Sequence, residues 1–189
     1  MLAVTLISVL GIVALSVLSL RWKFKMYEGT ASWGGMRSSS ILATLFAASV
    51  ILVDWGFLLP YSHVSPPRSF LFYPTMAFVA EIVFHVLPLS LLLVTLGPLA
   101  KGWDPTRLVW LCIVLASCLE PIFQLSWSSS EAPLSVVGMY VGLHVFAFNV
   151  LQLYLFRRYD FVSMYACRLV YYLYWHVMWG SARLYLLPS

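Results

Sequence analysis

The chain carries little charge and little cysteine, and it has no His-Glu-x-x-His, no Cys-x-x-Cys, no internal repeat and no low-complexity tract. Charged residues make up 10% of its 189 residues, against roughly 25% in a soluble domain. Hydrophobic residues make up 62%, against about 45–50%, and mean hydropathy is +0.90. This balance excludes an ordinary soluble fold. It predicts an all-α membrane helix bundle, one transmembrane domain over residues 1–189 in contact with the lipid bilayer. Cys112, Cys118 and Cys167 all lie inside apolar stretches. Cys112 and Cys118 are six apart and face different sides of a helix. The pattern therefore gives no support to a disulfide framework or a cysteine-rich metal site. The net charge of +4 does not imply nucleic-acid binding, because the basic residues fall in short loops between apolar stretches.

Six apolar stretches are present, at 2–20, 41–59, 69–97, 108–126, 135–156 and 161–187. A bilayer crossing needs about 20 helical residues. The third and sixth are long enough to tilt or to extend into the interface. The connectors hold the breakers: Gly29 and Gly34-Gly35; Ser65-Pro66-Pro67; Gly97-Pro98 with Gly102 and Pro105; Ser128-Ser129-Ser130 with Pro133; and Arg157-Arg158-Tyr159-Asp160. The first stretch has no positive n-region, and Arg21, Lys23 and Lys25 follow it. That order predicts a retained helix with its N-terminus outside, not a secretory signal. The first, third and fifth connectors hold Arg21, Lys23, Lys25, Arg37, Lys101, Arg107, Arg157 and Arg158, while the second and fourth hold only Arg68. The positive-inside rule then places both termini on the outer side.

Glu81, His85, Glu120, His144 and His176 stand in the middle of these stretches. Each is costly in hydrocarbon and is expected to have a partner in a protein or water-lined interior. Counted from the proposed inner ends, Glu81 and His85 lie 16 and 12 residues before 97, and Glu120 lies 12 after 108. His144 lies 12 before 156, and His176 15 after 161. All are then roughly 18–24 Å deep, which predicts one convergent layer. Glu81 and His85 are spaced i,i+4, as are Glu120 and Gln124. Arg168, Tyr172 and His176 form one stripe. Asn149, Gln152 and Arg168 count as nearer the inner surface, and Asp54 as near the outer interface.

Pro88 cannot donate to the Phe84 carbonyl, nor Pro121 to that of Ser117. Freed carbonyls inside a membrane line a cavity, meet another polar group or mark a kink. Gly138 and Gly142 make a Gly-x-x-x-Gly pair suited to close helix packing. Tyr171, Tyr172, Tyr174, Trp175 and Trp179 crowd the last stretch. The deep ones are expected to pack on other helices or line a cavity.

Two kinds of chemistry and one purely structural role suit such a layer. A glutamate can activate water while His and Glu side chains hold a zinc ion with one position open. Two of His85, His144 and His176 could be axial ligands of a haem, or the layer could hold a quinone. Or the layer is glue, fixing helix register within the bundle or against other membrane subunits.

Ala80-Glu81-Ile82-Val83-Phe84-His85, continuing Val86-Leu87-Pro88-Leu89, is similar to a Glu-Glu-x-x-x-Arg motif in which Phe commonly precedes the Arg. Glu120-Pro121-Ile122-Phe123-Gln124 falls where a Phe-x-x-x-His motif would follow, and His176-Val177-Met178-Trp179-Gly180 where a His-x-x-x-Asn motif would close the set. The chain thereby resembles, over about residues 75–185, the CAAX prenyl protease and bacteriocin-processing (CPBP, or Abi) membrane proteases. It departs from them at Ala80, His85, Gln124 and Gly180, and matches outright at Glu81, Phe84 and His176. The resemblance implies a divergent intramembrane endopeptidase, active or inactive, whose substrate is a membrane-anchored or lipidated peptide. The candidate catalytic residues are Glu81, Glu120 and Gln124, with either glutamate activating water. His85, His176 and His144 are the candidate metal ligands. The alternative is a non-catalytic subunit of a larger membrane complex.

Overall fold

The computed structural model describes residues 2–59, 64–127 and 135–186. Six helices run through them, and among the described residues there is no strand. They are Leu2–Trp22, Thr30–Phe57, Ser69–Leu99, a fourth in two pieces (Pro105–Ser117 and Leu119–Trp127), Val136–Arg158 and a sixth over 161–186. The first five are long and apolar enough to cross a membrane. Leu20, Leu71, Leu99 and many other large apolar side chains point outward, as lipid-facing surface would. The Ser128-Ser129-Ser130 and Pro133 breakers and residue 187 lie outside the described residues.

Helix starts follow local chemistry. Asp104 accepts from the Thr106 N–H at 3.3 Å with Pro105 at the first helical position. Ser135 Oγ accepts from the Gly138 N–H at 3.0 Å, and Asp160 Oδ1 from the Ser163 N–H at 2.8 Å.

The second helix departs from expectation. The sequence predicts it over 41–59, and it begins at Thr30. Gly34-Gly35 read as breakers of a connector. Instead Gly35 joins a small-residue face, with Ser32, Gly35, Ser39, Ala43 and Ala47 all buried. A Cβ added at Gly35 would stand 2.2 Å from Ser163 Oγ and 2.8 Å from Tyr159 Cγ. The sixth helix thus lies almost on the backbone of the second, the close approach that small residues permit in membranes. Gly142 plays a milder version of this part, its added Cβ meeting Leu125 Cδ1 at 3.2 Å.

The first helix also belongs to the bundle. It buries Gly11, Ala14 and Leu18 on one face, and a Cβ at Gly11 would meet Ile82 Cδ1 at 2.7 Å. Two apolar clusters hold the whole. One joins Leu18, Ile82, Leu89, Ile113 and Leu153. The other joins Ala43, Phe148, Cys167 and Trp175.

Three backbone irregularities fall on the polar segments. The third helix widens to a π-helix over Glu81–Val86, just before Pro88, and the Leu87 N–H reaches back five residues to Ile82 O. The sixth widens over Leu173–Trp179, around His176. Such bulges are rare and often occur at functional sites. The fourth helix breaks at Cys118, because Pro121 has no N–H for Ser117. The Ser117 carbonyl meets the Asn149 amide instead, at 3.3 Å.

Candidate functional site

A polar cluster is buried where the third, fourth, fifth and sixth helices meet, and Arg168 is its hub. The side chains of Glu81, His85, Asn149, Gln152 and Arg168 are almost wholly buried, and Glu120 is 5% exposed. Arg168 Nε donates to Glu81 Oε1 at 2.7 Å. Its Nη1 donates to Glu120 Oε1 and its Nη2 to Glu120 Oε2, both at 2.9 Å. This is the two-pronged guanidinium–carboxylate geometry, stronger and more directional than a point-charge contact. Nη2 also donates to Gln152 Oε1 at 2.9 Å and lies 3.5 Å from Asn149 Oδ1. Nη1 reaches the Tyr172 hydroxyl at 3.3 Å. Every nitrogen of the guanidinium is therefore engaged, as a buried arginine requires.

The remaining members complete the arrangement. Gln152 Nε2 donates to Glu81 Oε1. Gln124 Nε2 donates to Glu120 Oε1 at 3.3 Å. His85 Nδ1 stands 2.9 Å from Glu81 Oε2, one helical turn away, and 3.5 Å from Arg168 Nη2. His85 Nε2 is buried with no hydrogen-bond partner among the described residues.

No known family, curated protein or solved structure matches this chain. The reading of the cluster rests on its own geometry.

Of the candidate residues, the fold brings together Glu81, His85, Glu120 and Gln124. It seats the other two histidines elsewhere. His144 Nε2 lies 3.2 Å from the Tyr171 hydroxyl, its Nδ1 3.5 Å from that of Tyr140, and its ring packs on Phe46. His176 stacks on Tyr73, ring centroids 4.6 Å apart, and meets Tyr172 edge-on at 4.8 Å. Among the described residues, no three His, Cys, Asp or Glu side chains come together in a group that could hold a metal. His85, His144 and His176 belong to no such group.

Arg168, Asn149 and Gln152 are the members that depth counting placed nearer the inner surface. The count assumed inner helix ends in one plane. The third helix runs on to Leu99 and the fifth to Arg158, and an arginine side chain spans more than a turn. The useful signal was simpler: an arginine inside an apolar run needs carboxylates, and Glu81 and Glu120 are buried carboxylates on neighbouring helices.

Asp54, expected near the outer interface, is fully buried. It accepts from Trp179 Nε1 at 2.6 Å and from the Leu59 N–H at 2.7 Å, with Arg183 Nε 3.4 Å away. Asp160, which lies in the last connector, is buried too. It caps the sixth helix and accepts from the Ser32 hydroxyl and the Glu28 N–H. Both tie the second helix region to the sixth and stand apart from the Arg168 cluster.

Proposed function

We propose that this chain works inside a membrane as a divergent relative of the CAAX-type endopeptidases, with the Glu81–His85 pair as its acid–base centre. The observation that carries this reading is His85: its Nδ1 stands 2.9 Å from Glu81 Oε2 and 3.5 Å from Arg168 Nη2, and its Nε2 is buried with no hydrogen-bond partner among the described residues. A carboxylate that orients one imidazole nitrogen leaves the other to take or give a proton. In this reading Glu81, at ion-pair distance, orients His85, and Arg168 and Gln152 hold Glu81 in place. Glu120 has both oxygens on Arg168, which suits it to an electrostatic role and not to that of base. The water-activating part thus passes from the glutamates to His85 Nε2. The bond attacked is a peptide bond in a membrane-anchored or lipidated segment. The basic connectors support a topology with both termini on the outer side.

The test is cleavage of a farnesylated C-terminal peptide by the purified chain in lipid nanodiscs, read by mass spectrometry. The wild type cleaves it, and His85→Gln lowers the rate by about a hundredfold or more with its melting temperature kept. No cleavage by the wild type, or equal cleavage by His85→Gln, refutes the reading.

A second reading, a non-catalytic subunit of a membrane complex, is favoured by the saturation of Arg168. A guanidinium with every nitrogen engaged serves register as well as chemistry. Under it the chain co-purifies from its native membrane with other subunits in fixed ratio, and His85→Gln leaves that assembly intact.

A further inference from the structure

A cleft of about 410 Å³ opens where the first, fourth and fifth helices end on one side of the bundle. Ligand pockets commonly measure about 300–1,000 Å³. Its charge is strongly one-sided. Lys23, Lys25, Arg157 and Arg158 line it against a single carboxylate, Glu28. Glu28 is already taken by Lys25. Among the described residues no carboxylate pairs with Lys23 or Arg158.

The cleft is also built. Arg157 Nη1 donates to the Trp22 carbonyl at 3.0 Å, and its guanidinium lies over the Phe24 ring at 5.3 Å. The Phe161 N–H donates to the Lys25 carbonyl at 2.9 Å, fixing the first connector against the start of the sixth helix. Lys23 has φ 60, a left-handed conformation that side-chain-bearing residues seldom adopt. Trp110 and Tyr154 form the wall on the helix side, stacked with centroids 6.2 Å apart. Both stand within two turns of a helix end, the depth at which Trp and Tyr mark a membrane interface.

We propose that this cleft binds a phosphate-bearing anion at interface depth, either the headgroup of an anionic phospholipid or a soluble phosphate ester. Arg157 and Arg158 supply planar donors suited to phosphate oxygens, and Lys23 supplies a mobile point charge. The aromatic wall suits a glycerol backbone or the upper acyl chain. The site lies outside the Arg168 cluster and does not depend on the function proposed above.

Native mass spectrometry of the full chain in detergent tests it, with phosphatidic acid and phosphatidylcholine titrated separately and glycerol 3-phosphate as competitor. The wild type is expected to hold phosphatidic acid about tenfold or more above phosphatidylcholine. Lys23→Gln with Arg158→Gln removes that preference. Arg37→Gln with Lys101→Gln, exposed and outside the cleft, leaves it in place. Displacement by glycerol 3-phosphate assigns a soluble ester, and retention of the lipid assigns a headgroup. Equal binding of the two lipids by the wild type, or equal loss in both double variants, overturns the proposal.

Discussion

Arg168 grips Glu120 with both prongs of its guanidinium, each N···O distance 2.9 Å, while its Nε holds Glu81 at 2.7 Å. One side chain of the sixth helix thereby joins the third and fourth. Removing it leaves two buried carboxylates without the cation that both of them bind.

Arg168→Met should therefore cost far more than one ordinary contact. Breaking a buried ion pair from one side costs about 3–5 kcal/mol. The triple variant Arg168→Met, Glu81→Met, Glu120→Met should recover part of that loss, because no charge is left unpaired. Thermal unfolding in detergent measures both. A triple variant no more stable than the single one would sink this account of the cluster.

Neighbouring glycines in the second helix should behave in opposite ways. Gly35→Ala places its Cβ against Ser163 and Tyr159, and overpacking of this kind costs about 1–3 kcal/mol. A Cβ at Gly34 meets nothing within 4 Å, so Gly34→Ala should be neutral or stabilise by about 0.5–1 kcal/mol. Equal melting temperatures for the two variants would show that the second and sixth helices do not approach as closely as described.

The break in the fourth helix offers a compensating pair. Asn149→Leu removes the amide on the Ser117 carbonyl, and an unmet buried acceptor costs about 1–3 kcal/mol. Pro121→Ala restores the N–H that the helix would use for that carbonyl. The double variant should melt above Asn149→Leu alone; additive losses would argue that Asn149 acts only through Arg168.

Asp54 and Trp179 should be coupled. Trp179 Nε1 donates to Asp54 Oδ2 at 2.6 Å from a buried position. A double-mutant cycle with Asp54→Asn and Trp179→Phe should give an interaction of about 0.5–3 kcal/mol. A coupling near zero would leave Arg183 and the Leu59 N–H as the partners that matter.

Much of the fold was legible because membrane helices are decided by local quantities. Each apolar stretch must satisfy its own backbone hydrogen bonds within the helix, so length and composition alone located five of the six helices to within a few residues. The second helix began earlier than its apolar run because Gly34-Gly35 read as breakers, while Gly35 in fact lies against the sixth-helix residue Ser163 and against Tyr159. A glycine such as Gly35 is turn or interface depending on what faces it, and that is not a local property.

By itself the sequence determined the all-α class, the need of Glu81, His85 and Glu120 for partners, and the freeing of the Ser117 carbonyl by Pro121. Only the tertiary structure decided that Arg168, Gln152 and Asn149 meet those needs while His144 and His176 turn to tyrosines. Burying a charge in an apolar bundle demands a partner wherever it falls, so the demand can be read residue by residue. Which partner answers depends on helix tilt, staggered helix ends and side-chain reach, quantities that exist only once the helices have packed.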